Sequence, residues 1–232
     1  MQNNIDIRFE RTAEEASARS TFLKKTYLHL ALAFIVFMGL EAVLMSWQPA
    51  IELAGKMVSG KSWLIVLAAF MGVSWLANAW ATSATSLGKQ LAGLYLYVIA
   101  EAIIFLPLLL IAEAIAPDVI GQAAILTLSL SGGITAYVFL SGKNFSFLAS
   151  FLTIASFIAL GIIVCAMLFG MQLGLWFSIA MAVFASIAVL YQTSAVIHQY
   201  RNDQYVAAAL GLFASIALLF WYILQILLDN RR

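Results

Sequence analysis

A chain of 232 residues that is 64% hydrophobic and only 10% charged, with a mean hydropathy of +0.99, lies outside the range of soluble domains and reads as a polytopic membrane protein. The net charge of +1, with basic residues scattered in short segments, excludes nucleic acid as a partner. The single cysteine, Cys165, lies in an apolar run, so no intrachain disulfide, CxxC redox site or cysteine zinc site can form; it is expected to be a small packing residue.

Residues 1–25 form a polar arm in which Arg8, Arg11, Arg19, Lys24 and Lys25 stand among Asp6, Glu10, Glu14 and Glu15. The arm lacks the early apolar core and small-residue cleavage site of a signal peptide, and is expected to stay on the mature protein. Thr12-Ala13-Glu14-Glu15 fits a capping box, which predicts a short surface helix running into the first span.

Seven apolar runs follow, at residues 26–47, 62–81, 91–114, 120–140, 146–170, 173–197 and 205–228, each long enough to cross a hydrocarbon core of about 20 helical residues. The expected fold is therefore all-α: an arm at 1–25, a seven-helix transmembrane domain at 26–228 and a short tail at 229–232. Short connections marked by Pro49, Pro117, Ser141-Gly142-Lys143 and the segment 199–203 leave no linker for a second domain.

The first run carries His29 near its start and Glu41 six residues from its end. The third carries Glu101 as its eleventh residue, near the bilayer midplane, with Pro107 six residues later expected to kink the helix and Glu113 close to the interface. The fourth is unusually polar, with Thr127, Ser129, Ser131, Gly132, Gly133 and Thr135, and is expected to be a buried helix near the last one. The seventh has Ala207, Gly211 and Ser215 at spacing four, so neighbouring backbones can approach it closely; this predicts a helix at the centre of the bundle.

With the amino terminus inside, eight Lys and Arg fall in inner segments and four in outer ones. The positive-inside rule then favours a cytoplasmic amino terminus and, after seven crossings, a carboxyl terminus on the opposite side. Trp47, Trp63, Trp80 and Trp176 fall near span ends, where amphipathic rings prefer to sit.

No Lys or Arg lies inside any of the seven runs, so Glu101 has no basic partner at its depth. Burying such a group is costly, and desolvation disfavours its charged form unless water or a cation reaches it. Two readings stay open: Glu101, together with Glu41, lines an aqueous or cation path, or it is a neutral carboxyl bonded to a hydroxyl or a backbone carbonyl. Two histidines, His29 and His198, without an acid cluster make no metal site. No Ser-His-Asp set, phosphate-binding loop or HExxH helix is present, so no enzymatic chemistry and no cofactor are expected.

Five stretches together resemble the Bax-inhibitor (TMBIM) superfamily over about residues 22–228. They are Phe22-Leu23-Lys24-Lys25-Thr26-Tyr27, Gly93-Leu94-Tyr95-Leu96-Tyr97 before Pro107, Gly142-Lys143-Asn144-Phe145-Ser146, Leu190-Tyr191-Gln192-Thr193-Ser194 and Tyr205-Val206-Ala207-Ala208-Ala209. Among bacterial members the chain is most similar to the YccA-type branch. The resemblance implies seven helices with the last surrounded by the other six, in a bacterial inner membrane. It also implies two activities: a pH-sensitive calcium leak, latched by an aspartate late in the sixth helix and another in the seventh, and restraint of the membrane AAA protease FtsH by the YccA-type branch. The latch positions fall on Gln192 and Ser215, and Asn144 stands where the resemblance implies an acidic residue, in the turn between the fourth and fifth helices. Two carboxylates at close range share a proton, whereas Gln192 and Ser215 cannot titrate; a hydrogen bond between them would make a latch that ignores pH. The leading expectation is a non-enzymatic regulator of FtsH, with a calcium leak through Glu101 and Glu41 as the alternative.

Overall fold

In a computed structural model the backbone is described for residues 2–83 and 86–231, and side chains from Glu14 onward with the same gap. The elements are α1 (Gln2–Ser46), α2 (Gln48–Met57), α3 (Ser62–Ala81), α4 (Leu87–Ile115), α5 (Asp118–Ser141), α6 (Leu148–Phe169), α7 (Gly174–His198) and α8 (Tyr205–Asp229). All but α2 are long and apolar enough to cross a membrane. Among the described residues there is no strand.

The arm and the first span are one uninterrupted helix, so the expected helix start at Thr12 is not a start; the Thr12 side chain lies outside the described ones. The connection marked by Pro49 is itself a helix. Pro49 sits in its first turn, where its missing N–H costs nothing; Ala50 and Ala54 face inward to pack on Leu106 of α4, and Met57 is buried as well. At the start of α4, Ser86 caps by accepting a hydrogen bond from the Lys89 amide at 3.2 Å. Gly142 and Gly170, at φ 60° and 69°, end α5 and α6 in the left-handed conformation. Pro107 lies within α4 without ending it.

The last helix is the column around which the others stand. It packs directly on α1, α3, α4, α5 and α7, while α6 packs chiefly on α7 and reaches α8 through the cluster of Ala159, Met181 and Tyr222. Of the most apolar stretches of α4 and α8, 56% and 61% of residues are buried, against 6% for α6. A chain of rings fills the centre: Phe34 and Phe37 of α1 lie on Phe213, Phe37 meets Phe105 edge-on, and Phe105 meets Trp221 at 4.9 Å. The outside is apolar, with Trp75, Leu140, Phe169 and Trp176 fully presented, as a bilayer-facing surface requires.

Two expectations fail here. Cys165 is exposed on the rim rather than packed. The fourth span, α5, does lie beside α8 with Thr127 and Ser131 buried, but Gly132 and Gly133 meet no neighbour, and most of the helix faces outward. Thr127 satisfies its hydroxyl on the Ala123 carbonyl at 2.7 Å, so the polar residues of α5 need no second helix.

Two glycines do mark close crossings. A Cβ on Gly93 would lie 2.5 Å from both the Ala77 carbonyl oxygen and the Ala81 amide nitrogen, so α3 and α4 touch backbone to backbone there. A Cβ on Gly211 would lie 2.0 Å from Nε2 of Gln192, whose side chain crosses α8 at this point and donates to the Tyr200 hydroxyl at 2.8 Å. Gly93→Ala should therefore destabilise the bundle by about 1–3 kcal/mol, because backbone cannot move aside as a side chain can; an unchanged thermal midpoint in detergent would refute the crossing. Gly211→Ala should cost only about 1 kcal/mol, the bond to Tyr200 lost as Gln192 swings away. Combined with Gln192→Ala it should cost clearly less than the sum of the two, and additive losses in a double-mutant cycle would sink the contact.

Candidate functional site

The sequence places an acid at mid-span, and the structure places a cavity against it. Glu101 is the central residue of α4 and only 5% exposed, with Oε2 bonded to nothing. Tyr97, one helical turn earlier, shares a side-chain hydrogen bond with the carboxyl group, so one of its oxygens is satisfied and the other is not. A cavity of about 780 Å³ runs from Glu101 toward the end of the bundle where α8 finishes, bounded there by Gln172, Gly174 and Asp229. From Glu101 to Ile111 on its α4 wall the rise is about 15 Å, half a bilayer core.

The other walls come from Trp63 and Phe70 of α3, Ser156 and Leu160 of α6, Phe177 and Ser178 of α7, and Trp221 and Gln225 of α8. Trp63 stacks on Trp221 with centroids 6.3 Å apart, and Trp221 meets Phe105. The Ser178 hydroxyl donates to Oε1 of Gln225 at 3.1 Å, which settles the two polar groups of the upper wall on each other. Among the described residues no Lys or Arg lines the cavity, and the carboxylates Glu101 and Asp229 lie at opposite ends of it.

Glu41 is equally buried, and both of its oxygens lack a partner, but it does not line this cavity. Of the two acids that the sequence reading put on one path, Glu101 lines this cavity and Glu41 does not. Asn78 is exposed near the end of α3, where its carbonyl accepts the Thr82 hydroxyl at 2.8 Å. His29 and His198 each set Nδ1 on a carbonyl of their own helix, at Lys25 (2.7 Å) and Ser194 (3.0 Å). Among the described residues no group of His, Cys, Asp or Glu could hold a metal ion.

The opposite half of the bundle is closed. Ala207, Ala208 and Ala209 are buried, and Gln192 lies across Gly211. The hydrogen bond expected between Gln192 and Ser215 is not formed: Gln192 donates to Tyr200, and the Ser215 hydroxyl donates to the Gly211 carbonyl of its own helix at 2.8 Å. A serine one turn along can satisfy itself on the i−4 carbonyl, so it has no need of a partner across the interface.

Arg19 completes the closure. Its guanidinium donates to the carbonyls of Val196, Ile197 (2.7 Å) and Tyr200 (2.8 Å) and to Oδ1 of Asn202 (3.0 Å), and it lies 4.4 Å over the ring of Phe22. It thus caps the open carbonyls at the end of α7 from a different helix. The turn before α6 is tied to the same place, since the Phe145 amide donates to the Ser194 hydroxyl at 2.8 Å and Asn144 accepts from the Ser146 amide at 2.9 Å. In the last turn, Arg201 holds the Asp203 carboxyl below its ordinary range, and burial pushes the Tyr200 phenol up, so that it stays neutral. Sequence reading counted Arg19 only as a positive charge; nothing in its spacing marks the carbonyls it reaches, 177 to 181 residues away. Trp221, at the centre of the aromatic wall, was likewise invisible as part of a site.

The family described as "Inhibitor of apoptosis-promoting Bax1" matches residues 19–232. The chain is 38% identical over 112 residues to the uncharacterized protein PA2604 of Pseudomonas aeruginosa, covering 47% of this chain and 49% of that protein. It is 34% identical, again over 112 residues, to a BI1-like protein of Arabidopsis thaliana, covering 46% and 43% of the two chains. The chain thus spans about half the length of these curated relatives. With the family matched from the Arg19 cap through the whole of α8, this seven-span membrane protein belongs to the Bax-inhibitor family.

Proposed function

We propose that this chain is a non-enzymatic protein of the bacterial inner membrane that admits a cation from outside to Glu101, with the cytoplasmic half of its path held shut. The observation that carries the reading is the cavity that ends on a buried carboxylate with one oxygen, Oε2, left without a partner and, among the described residues, no basic group along its walls. A carboxylate at mid-membrane is costly unless a cation or water reaches it, and a cavity of this length supplies the route. The positive-inside rule puts the amino terminus in the cytoplasm, so the cavity opens on the far side and the Arg19 cap lies at the cytoplasmic end.

The closed half explains why leak would be slow at rest. Passage beyond Glu101 requires Gln192 to leave Gly211, or α8 to part from α7, and the Arg19 bonds oppose both. Calcium is the first ion to test. In liposomes carrying the purified protein, calcium flux should be small, should fall at least about fivefold in Glu101→Gln, and should rise when Arg19→Met loosens the closed end. Flux that is equal in wild type and Glu101→Gln would overturn the reading.

A second reading, restraint of FtsH, draws on a different observation. The first helix runs on without a break from the apolar span into residues 2–25, presenting the exposed, charged Glu14, Glu15 and Lys24 on a continuous helix beyond the apolar span. A rod of mixed charge suits docking on a protein partner better than it suits ion passage. Co-purification with FtsH, and slower degradation of a membrane substrate in proteoliposomes, should both be lost when residues 2–18 are deleted. If the full chain neither binds FtsH nor slows degradation, this reading fails.

A further inference from the structure

The shape and chemistry of the cavity are poorly matched to a divalent metal as a bound ligand. Calcium takes about six to eight oxygen ligands, whereas the floor here offers one carboxylate, and Ser178 and Gln225 on the wall are bonded to each other. The walls are instead aromatic and apolar: Trp63, Trp221 and Phe105 form a continuous series of rings leading to Glu101, and Phe70 and Phe177 face the same space. Aromatic faces around a single buried carboxylate recognise a large, weakly hydrated cation, through cation–π attraction and one charge pair. The volume of about 780 Å³ falls within the roughly 300–1,000 Å³ usual for sites of small organic molecules.

The way in also suits an apolar molecule. The helices that frame the cavity on its two sides, α3 and α6, share no packed interface, and α6 is held chiefly by α7. A ligand dissolved in the bilayer can therefore approach from the side as well as from the aqueous end, where Asp229 stands. We propose that this cavity is a binding site for lipophilic monovalent organic cations, seated among Trp63, Phe105 and Trp221 with their charge against Glu101. The proposal rests on the reading that cations reach Glu101, and it names the class of cation the walls select.

The test uses the full-length protein in detergent with tetraphenylphosphonium as the probe and tetraphenylborate, of the same shape and opposite charge, as its counterpart. Tetraphenylphosphonium should bind saturably, about tenfold more weakly in Glu101→Gln and Trp221→Ala, and within about threefold of wild type in Glu101→Asp. Tetraphenylborate, assayed by itself, should bind at least about tenfold more weakly. In wild type, tetraphenylphosphonium should also slow modification of Glu101 by dicyclohexylcarbodiimide at least about fivefold, a readout that does not depend on any variant folding. Equal binding to Glu101→Gln, or equally tight binding of tetraphenylborate assayed by itself, would reduce the site to an apolar crevice and overturn the proposal. Absence of tetraphenylphosphonium binding alongside a calcium flux that still falls in Glu101→Gln would overturn it while leaving cation access intact; failure of both would remove the two readings together.

Discussion

The end of α7 poses the problem on which the closed half of the bundle depends. The last carbonyls of any helix lack partners, and near a membrane they must find them within the protein. Arg19 supplies four donated bonds from α1, and in doing so fixes α1, the end of α7 and the turn 199–204 relative to one another. Hydrogen bonds from a charged donor are worth about 1.5–3 kcal/mol each when buried, and less at this half-buried position, yet their value here is chiefly geometric. With α7 and α8 held at that end, Gln192 is pressed against Gly211, and no space is left between the two helices.

The other half of the bundle is tied more lightly, by an exposed Arg231–Asp118 ion pair at 3.2 Å and the Ser178–Gln225 bond. Its polar groups are few, and its packing relies on rings and on α6, the least buried of the spans. Dispersion and small-residue contact drive helix association in lipid, and bulky rings such as Trp63 and Trp221 keep backbones apart where Gly93 and Gly211 bring them together. The cavity is thus the counterpart of the tight crossings. Glu101 lies at the boundary between the two halves, where the closed packing ends and the open space begins.

Relatives that carry carboxylates at the positions of Gln192 and Ser215 would place titrating groups inside the closed half. Here the amide of Gln192 is neutral, it bonds a phenol that burial keeps protonated, and Ser215 turns back on its own helix. The contact of α7 with α8 therefore rests on shape and on groups that do not titrate near neutrality, with Arg19 capping its end, and the buried acids Glu101 and Glu41 lie outside that contact. The buried acid that lines the cavity and the tight contact of α7 with α8 thus lie in different parts of the bundle.

Much of this was legible in the residues. Apolar length and the placement of charge are properties of the chain alone, so the seven spans, their short connections and an acid at mid-span without a base followed directly. The small residues of α8 marked its central place, because only a helix approached from several sides benefits from them over its whole first half. What could not be read was rotation and partnership. The same glycines that make α8 close-packed also occur in α5, where Gly132 and Gly133 face outward. Gln192 was legible as a position but not as a side chain lying on Gly211, and Arg19 was legible as a charge but not as a cap. Which face each helix turns inward, and whether the space beside Glu101 fills or stays open, depend on crossings between helices far apart in sequence, and only the tertiary structure decided them.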